Sequence, residues 1–192
     1  MGRSKVNAWI VGVVRPPLLF VGYVSRGISG LLFPKREEQR ARERQDTLAE
    51  DIRLSMPFLF HDWDTKIIPD KGTGFPPPFD YAAVIVEFLN LRARFTRGRE
   101  TLIVFLAPKF SPESWHELST ILIALDIPGV RRGSIIDLTQ AGKLIGQHID
   151  SLSKALSKAA YPQLTDKLRE IRERDRTVTK QLEAEINRRI YG

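Results

Sequence analysis

The sequence predicts an α+β protein whose core is an antiparallel meander of three or four strands, covered by a helix. Three β-rich runs, "YAAVIVEF", "LRARFT" and "TLIVFLAP", are joined by turns too short for a parallel crossover. An apolar stripe with helical spacing follows in "SWHELSTILIAL". Beyond residue 130, apolar residues recur at three- and four-residue steps, which predicts a long helical hairpin or a coiled-coil arm.

Composition limits the class of protein. At 192 residues and 42% hydrophobic, the chain can bury one ordinary core and an appendage. Its ten phenylalanines exclude wholesale disorder. The absence of cysteine excludes disulfides, thiolate metal sites and cysteine nucleophiles. We expect a cytoplasmic protein, either free or attached peripherally to the membrane.

Charge is distributed unevenly along the chain. Residues 1–36 hold six basic and no acidic side chains, and residues 130–192 also carry a basic excess. The segments between them are mildly acidic. A protein that held nucleic acid on its folded core would concentrate positive charge there, so this distribution makes nucleic acid the less favoured partner.

These patterns divide the chain into four segments. Residues 1–34 form an amphipathic basic leader, and residues 35–56 form a charged helical connector. Residues 57–129 form the α+β domain, and residues 130–192 form a long helical tail.

The leader contains the apolar run "VNAWIVGVVRPPLLFVGYVSRGISGLLF". A membrane span needs about 20 consecutive apolar residues, and Arg15–Pro16–Pro17 interrupts this run. Two short amphipathic helices, over 5–15 and 17–32, fit the spacing better. Their apolar face suits an anionic membrane surface, or equally a protein surface, and both alternatives stay open. The predicted docking residues are Trp9, Ile10, Val13, Phe20, Val24, Ile28 and Leu31.

Within the domain, "FLFHDWDTKII" is predicted to be the first strand because of its aromatic residues and alternation. Residues 70–80 carry two glycines and three prolines and should form a loop. After the three-strand meander, Ser111 and Pro112 are predicted to start the covering helix. Its apolar stripe would consist of Trp115, Leu118, Leu122 and Leu125.

The hairpin "RARFTRGRE" places several arginines on the exposed side of the sheet. Such a ribbon can bind phosphate or an acidic protein surface. Exposed arginines also protect a sheet against edge-to-edge aggregation, which is the alternative. A nucleic-acid-binding protein using this hairpin is the second function we consider. The candidate residues are Arg92, Arg94, Arg97 and Arg99.

The tail contains two predicted helices. Ser134 with Asp137 gives a start that resembles a capping box, and a second helix follows Pro162. The second helix has a coiled-coil-like seam, with Asp175 as its one polar member. We expect this seam to mediate self-association or docking, with coverage of the domain as the alternative. The seam residues are Leu164, Leu168, Ile171, Val178 and Leu182.

Catalytic signatures are missing from the sequence. There is no phosphate-binding glycine loop, no dinucleotide fingerprint and no nucleophile elbow. His61, His116 and His148 are too far apart in sequence to form a helical metal pair. We therefore expect no enzymatic activity, no metal and no cofactor.

The meander "VIVEF…LRARFTRGRETLIVFLAP" followed by "SPESWHEL" resembles a group of small bacterial α+β proteins of immunity or adaptor type. The resemblance covers residues 48–126 and implies a binding role without catalytic residues. The sequence thus predicts a non-enzymatic binding or adaptor protein. Its leader would attach it to a membrane surface or a partner, and its tail would drive self-association or docking to a protein partner.

Overall fold

A computed structural model describes residues 34–70, 82–98, 101–131 and 137–191. The chain divides into two compact units, residues 1–40 and residues 41–192. Residues 1–33 of the predicted leader lie outside the described residues. The described part of the first unit is the beginning of helix α1, and the sheet and the other helices belong to the second unit.

Helix α1 (Pro34–Ser55) is charged along its first half and apolar on one face of its second half. Leu48, Ile52 and Met56 are fully buried in the core, as their spacing predicts. Pro57 then starts a short second helix, α2 (Pro57–Asp62), which buries Leu59.

Five strands form one antiparallel sheet in the order β1-β2-β3-β4-β5. Strands β2, β3 and β4 form the predicted meander, and Leu89–Asn90 forms the tight turn between the first two of them. β1 adds to the free edge of β2, and β5 adds to β4. The strands are β1 (Lys66–Pro69), β2 (Ala82–Phe88), β3 (Leu91–Arg97), β4 (Leu102–Pro108) and β5 (His116–Glu117).

One face of this sheet belongs to the core. Alternate residues of the three long strands point toward the helices, and rows such as Val84, Phe95 and Val104 are in register across the sheet. The same cluster contains side chains from α1, α2 and the later helices. This is the helix-on-sheet layering expected of an α+β domain, so the predicted fold class is confirmed.

The strand prediction was wrong in two places. The sheet has five strands rather than three or four, and the first strand covers only the end of the predicted segment. Residues 57–62 are helical because Pro57 fits the first turn of a helix and Leu59 reaches the core from it.

The covering helix begins later than predicted. Residues 111–115 form turns, in which the Ser111 and Ser114 hydroxyls hydrogen bond at 2.7 Å, and β5 follows. Pairing of His116 with Leu106 on β4 takes precedence over the local helical signal. The helix is α3 (Leu118–Ala124), and it buries both predicted core leucines that lie within it.

The tail folds into two helices. α4 (Leu138–Ala155) begins at Asp137, whose side chain accepts a hydrogen bond from the Gln140 backbone N–H at 2.7 Å. Ser134, the other half of the predicted capping box, lies outside the described residues. After a short connection comes α5 (Tyr161–Tyr191), which packs against α3.

Candidate docking surface on the C-terminal helix

Helix α5 is longer than the domain needs. Its 31 residues extend for about 46 Å at 1.5 Å per residue. Leu164 and Leu168 are buried in the core, and Ile171 packs against its edge. From residue 172 to residue 190, every residue except Asp175 is exposed. The second half of the helix therefore contributes little to the core.

This second half nevertheless carries four large apolar side chains. Their exposed fractions are 53% for Val178, 55% for Leu182, 53% for Ile186 and 64% for Ile190. Residues four apart on a helix lie one above the other on the same face. We call these four residues the distal stripe. It continues the face on which Leu164 and Leu168 reach the core.

The predicted seam is therefore divided by the structure. Its first residues are part of the domain core, whereas Val178 and Leu182 are exposed to solvent. Ile186 and Ile190 were missed, because a seam that alternates three- and four-residue steps would continue through Glu185 and Arg189. Successive four-residue steps from Val178 were the signal that could have found them.

The distal stripe is flanked by charged side chains. Within the helix, Arg174 approaches Glu170 at 3.7 Å, and Arg189 approaches Glu185 at 2.5 Å. All four side chains are more than half exposed. Each acid precedes its arginine by four residues, the favourable direction, and each pair supports the helix by about 0.2–0.5 kcal/mol. Such weak pairs can be exchanged for others when a partner approaches.

A polar cluster fixes the first half of α5 to the sheet. Arg172 Nη2 donates to Nδ1 of His116 at 3.1 Å, and Nε2 of His116 lies 2.9 Å from the Tyr161 hydroxyl. A guanidinium can only donate, so Nδ1 must accept and Nε2 must carry the proton. Burial, with the Arg172 charge as the second cause, lowers the pKa of His116. We interpret the cluster as an anchor that sets the direction of the helix.

The predicted phosphate-binding arginines are paired with carboxylates. Arg92 lies 2.9 Å from Glu87 and also stacks over the Trp115 ring at 5.5 Å. Arg94 lies 2.7 Å from Asp70. These side chains are at most a quarter exposed.

Arg97, at the end of the hairpin, forms a 2.5 Å pair with Asp51 of α1. Arg99 lies outside the described residues. Anion binding on this hairpin stays a prediction, and it would require ligands to compete with carboxylates that are already in place.

The apolar docking residues of the leader, Trp9 to Leu31, also lie outside the described residues. Their prediction is neither confirmed nor contradicted by the fold.

An open cleft of about 290 Å³ lies where α4 ends and α5 begins. Its floor is formed by apolar side chains such as Ala155 and Leu164, and Lys154 and Lys167 stand in its lining. Lys167 is already engaged, because it donates to the Ala124 carbonyl at 3.0 Å. The lining contains no carboxylate and no histidine, so we assign the cleft no chemistry.

The segment around His61 carries polar side chains that lie near the surface. His61 and Asp62 are exposed at the end of α2, and Asp64 lies 3.8 Å from Lys66. Within the described ranges, no three acidic or histidine side chains are grouped so that they could hold a metal ion.

Comparisons with protein families, curated proteins and solved structures found no match to this chain. Among the residues that the structure describes, no helix combines the length and apolar content that a membrane crossing requires. The surface of α5 and the sequence of the leader are the features of this protein that bear on its function.

Proposed function

We propose that this protein is a non-enzymatic binding or adaptor protein that associates through the second half of α5. The observation that carries the proposal is the distal stripe. Single exposed apolar residues are normal on protein surfaces. Four large ones on one face, beyond the part of the helix that the core covers, are typical of a protein–protein contact.

The way in which helices are stabilised by packing supports this proposal. Helices gain most of their stability from packing an apolar face. The first half of α5 packs on the domain, whereas Val178 to Ile190 gain nothing from it. A partner helix laid along the stripe would remove these side chains from water. Because 53–64% of each is exposed, burial would contribute roughly half of the 1.5–3 kcal/mol that is typical of a fully exposed side chain.

Sedimentation velocity of the full chain over a concentration series tests this association. We expect a concentration-dependent complex that is lost in Leu182→Glu, because the new charge would have to be desolvated in the contact. Leu54→Glu is the matched control, since Leu54 is 73% exposed and belongs to a different helix, α1. Failure of the stripe variant to differ from this control would contradict the proposal.

We further propose that the leader attaches the protein to a surface, either an anionic membrane or a partner. The support is the amphipathic spacing of residues 6–31 together with six basic residues and no acid in residues 1–36. This would make the protein cytoplasmic and peripheral at the membrane.

Cosedimentation with vesicles tests the membrane alternative. We expect the full chain to bind vesicles that contain phosphatidylserine more strongly than phosphatidylcholine vesicles. Phe20→Glu should weaken this binding more than Asn7→Glu, which makes the same charge change on the polar side of the predicted helices. Equal losses in both variants would show that the apolar face does not enter the lipid, and no binding at all would leave a protein as the attachment partner.

We do not propose nucleic-acid binding as a second function. The described arginines of the hairpin each face a carboxylate, and no observation favours their exchange for phosphate.

A further inference from the structure

We infer that the partner of the distal stripe is a second copy of this chain, aligned antiparallel along α5 with the two-fold axis between residues 179 and 180. This inference rests on the proposed association and names its partner and geometry. It is carried by the order of charges along the two edges of the stripe.

The two edges follow from the helical turn of about 100° per residue. Arg174 and Glu185 lie on one edge of the stripe, and Arg176 and Glu183 lie on the other. On both edges the basic residue precedes the acidic residue. Arg176 and Glu183 are exposed, and Arg174 and Glu185 are more than half exposed, so all four are available at the surface.

An antiparallel pair brings each edge against the same edge of the other copy. Arg174 then faces Glu185 of the second copy, and Arg176 faces Glu183 of the second copy. The two-fold axis repeats both contacts, so four opposite-charge pairs form around the contact. Both pairs place the axis between residues 179 and 180.

The apolar residues at the centre of the contact fit this register. With the axis between residues 179 and 180, Val178 lies within one residue of the level of Leu182 of the second copy, and Ile190 lies level with residue 169, where α5 packs on the domain. The order of charges along both edges is what selects a second copy over an unrelated helix.

A parallel pair is disfavoured by the same charges. In a parallel pair, the two-fold axis runs along the helices. It places one edge of the stripe beside the other edge of the stripe on the second copy, with equal residue numbers at the same level. Arg174 would then lie near Arg176 of the second copy, and Glu185 near Glu183 of the second copy. Like charges across a contact work against it, so charge order selects the direction of the pair.

Charge reversal with mixing tests this arrangement. In Arg174→Glu, residues 174 and 185 are both acidic, and in Glu185→Arg both are basic, so each variant should repel itself. Each should weaken the dimer by about tenfold or more, because two pairs are lost and two repulsions are created. An equimolar mixture should restore a dimer with one copy of each, since both edge contacts become complementary again.

Lys180→Glu is the control, because it makes the same charge change on the opposite side of the helix. Sedimentation equilibrium at low salt would measure the dimer dissociation constants. Absence of recovery on mixing, or an equal loss in the control, would overturn the antiparallel register. In that case the Leu182→Glu result would still decide whether the stripe mediates association, and a wild-type chain that stays monomeric would refute both proposals.

Discussion

Individual residues show how local rules and tertiary contacts compete. Gly142 lies inside α4, where alanine ordinarily favours a helix by about 1 kcal/mol. At this position, however, an added Cβ would lie 2.9 Å from Met56 Cγ and 3.1 Å from the Ser55 carbonyl oxygen. Gly146, one turn later, would place a Cβ 3.3 Å from the Phe58 ring, which can move.

We therefore predict opposite outcomes for two identical substitutions. Gly142→Ala should lower the free energy of unfolding by up to about 2 kcal/mol, because overpacking exceeds the gain in helix propensity. Gly146→Ala should be neutral or raise it by up to about 1 kcal/mol. Urea denaturation of both variants measures the difference, and a stabilising Gly142→Ala would show that the contact of α4 with Ser55 and Met56 is looser than described.

The arginines of the hairpin show what a single sequence cannot reveal. Alternation along β3 places Arg92 and Arg94 on the face opposite the core, and this was predictable. Their carboxylate partners were not, because ion pairs across a fold leave no periodic signal. Asp51, for example, reaches Arg97 from α1, 46 positions earlier in the chain.

At the level of elements, long periodic segments were predictable and short ones were not. The meander β2–β4 and the two tail helices have enough repeats to define their period. β5 has two residues and exists because the edge of β4 offers hydrogen bonds, so pairing rather than propensity creates it. The first strand was misplaced for a similar reason. The six residues of α2 are too few to distinguish the helical spacing of apolar residues from the alternation of a strand.

Helix α5 illustrates the strength and the limit of periodicity. The spacing of apolar residues predicted a helix with one apolar face, and that face is present. Spacing alone could not show where the domain stops covering it. The burial of the individual side chains shows that the domain covers this face as far as Ile171. Beyond Ile171 the apolar side chains of α5 are exposed.

Considered as a whole, the described molecule has one core and one helix that extends past it. Its polar side chains are engaged mainly in structural contacts, such as the Asn90–Ser153 pair that joins the β2–β3 turn to α4. Four of its exposed large apolar side chains share one face of α5, whereas the others, such as Leu54, Ile103 and Phe110, lie on other parts of the fold. We therefore propose α5 as the element through which the protein associates.

Hydrogen exchange of the full chain at low and high protein concentration tests this claim most directly. If α5 pairs along the distal stripe, amides of residues 176–190 should exchange more slowly as concentration rises, since pairing suppresses local opening. Amides of residues 164–171, which the domain already covers, should not change. Exchange that is independent of concentration throughout α5, up to the highest concentration at which the protein stays soluble, would contradict the account.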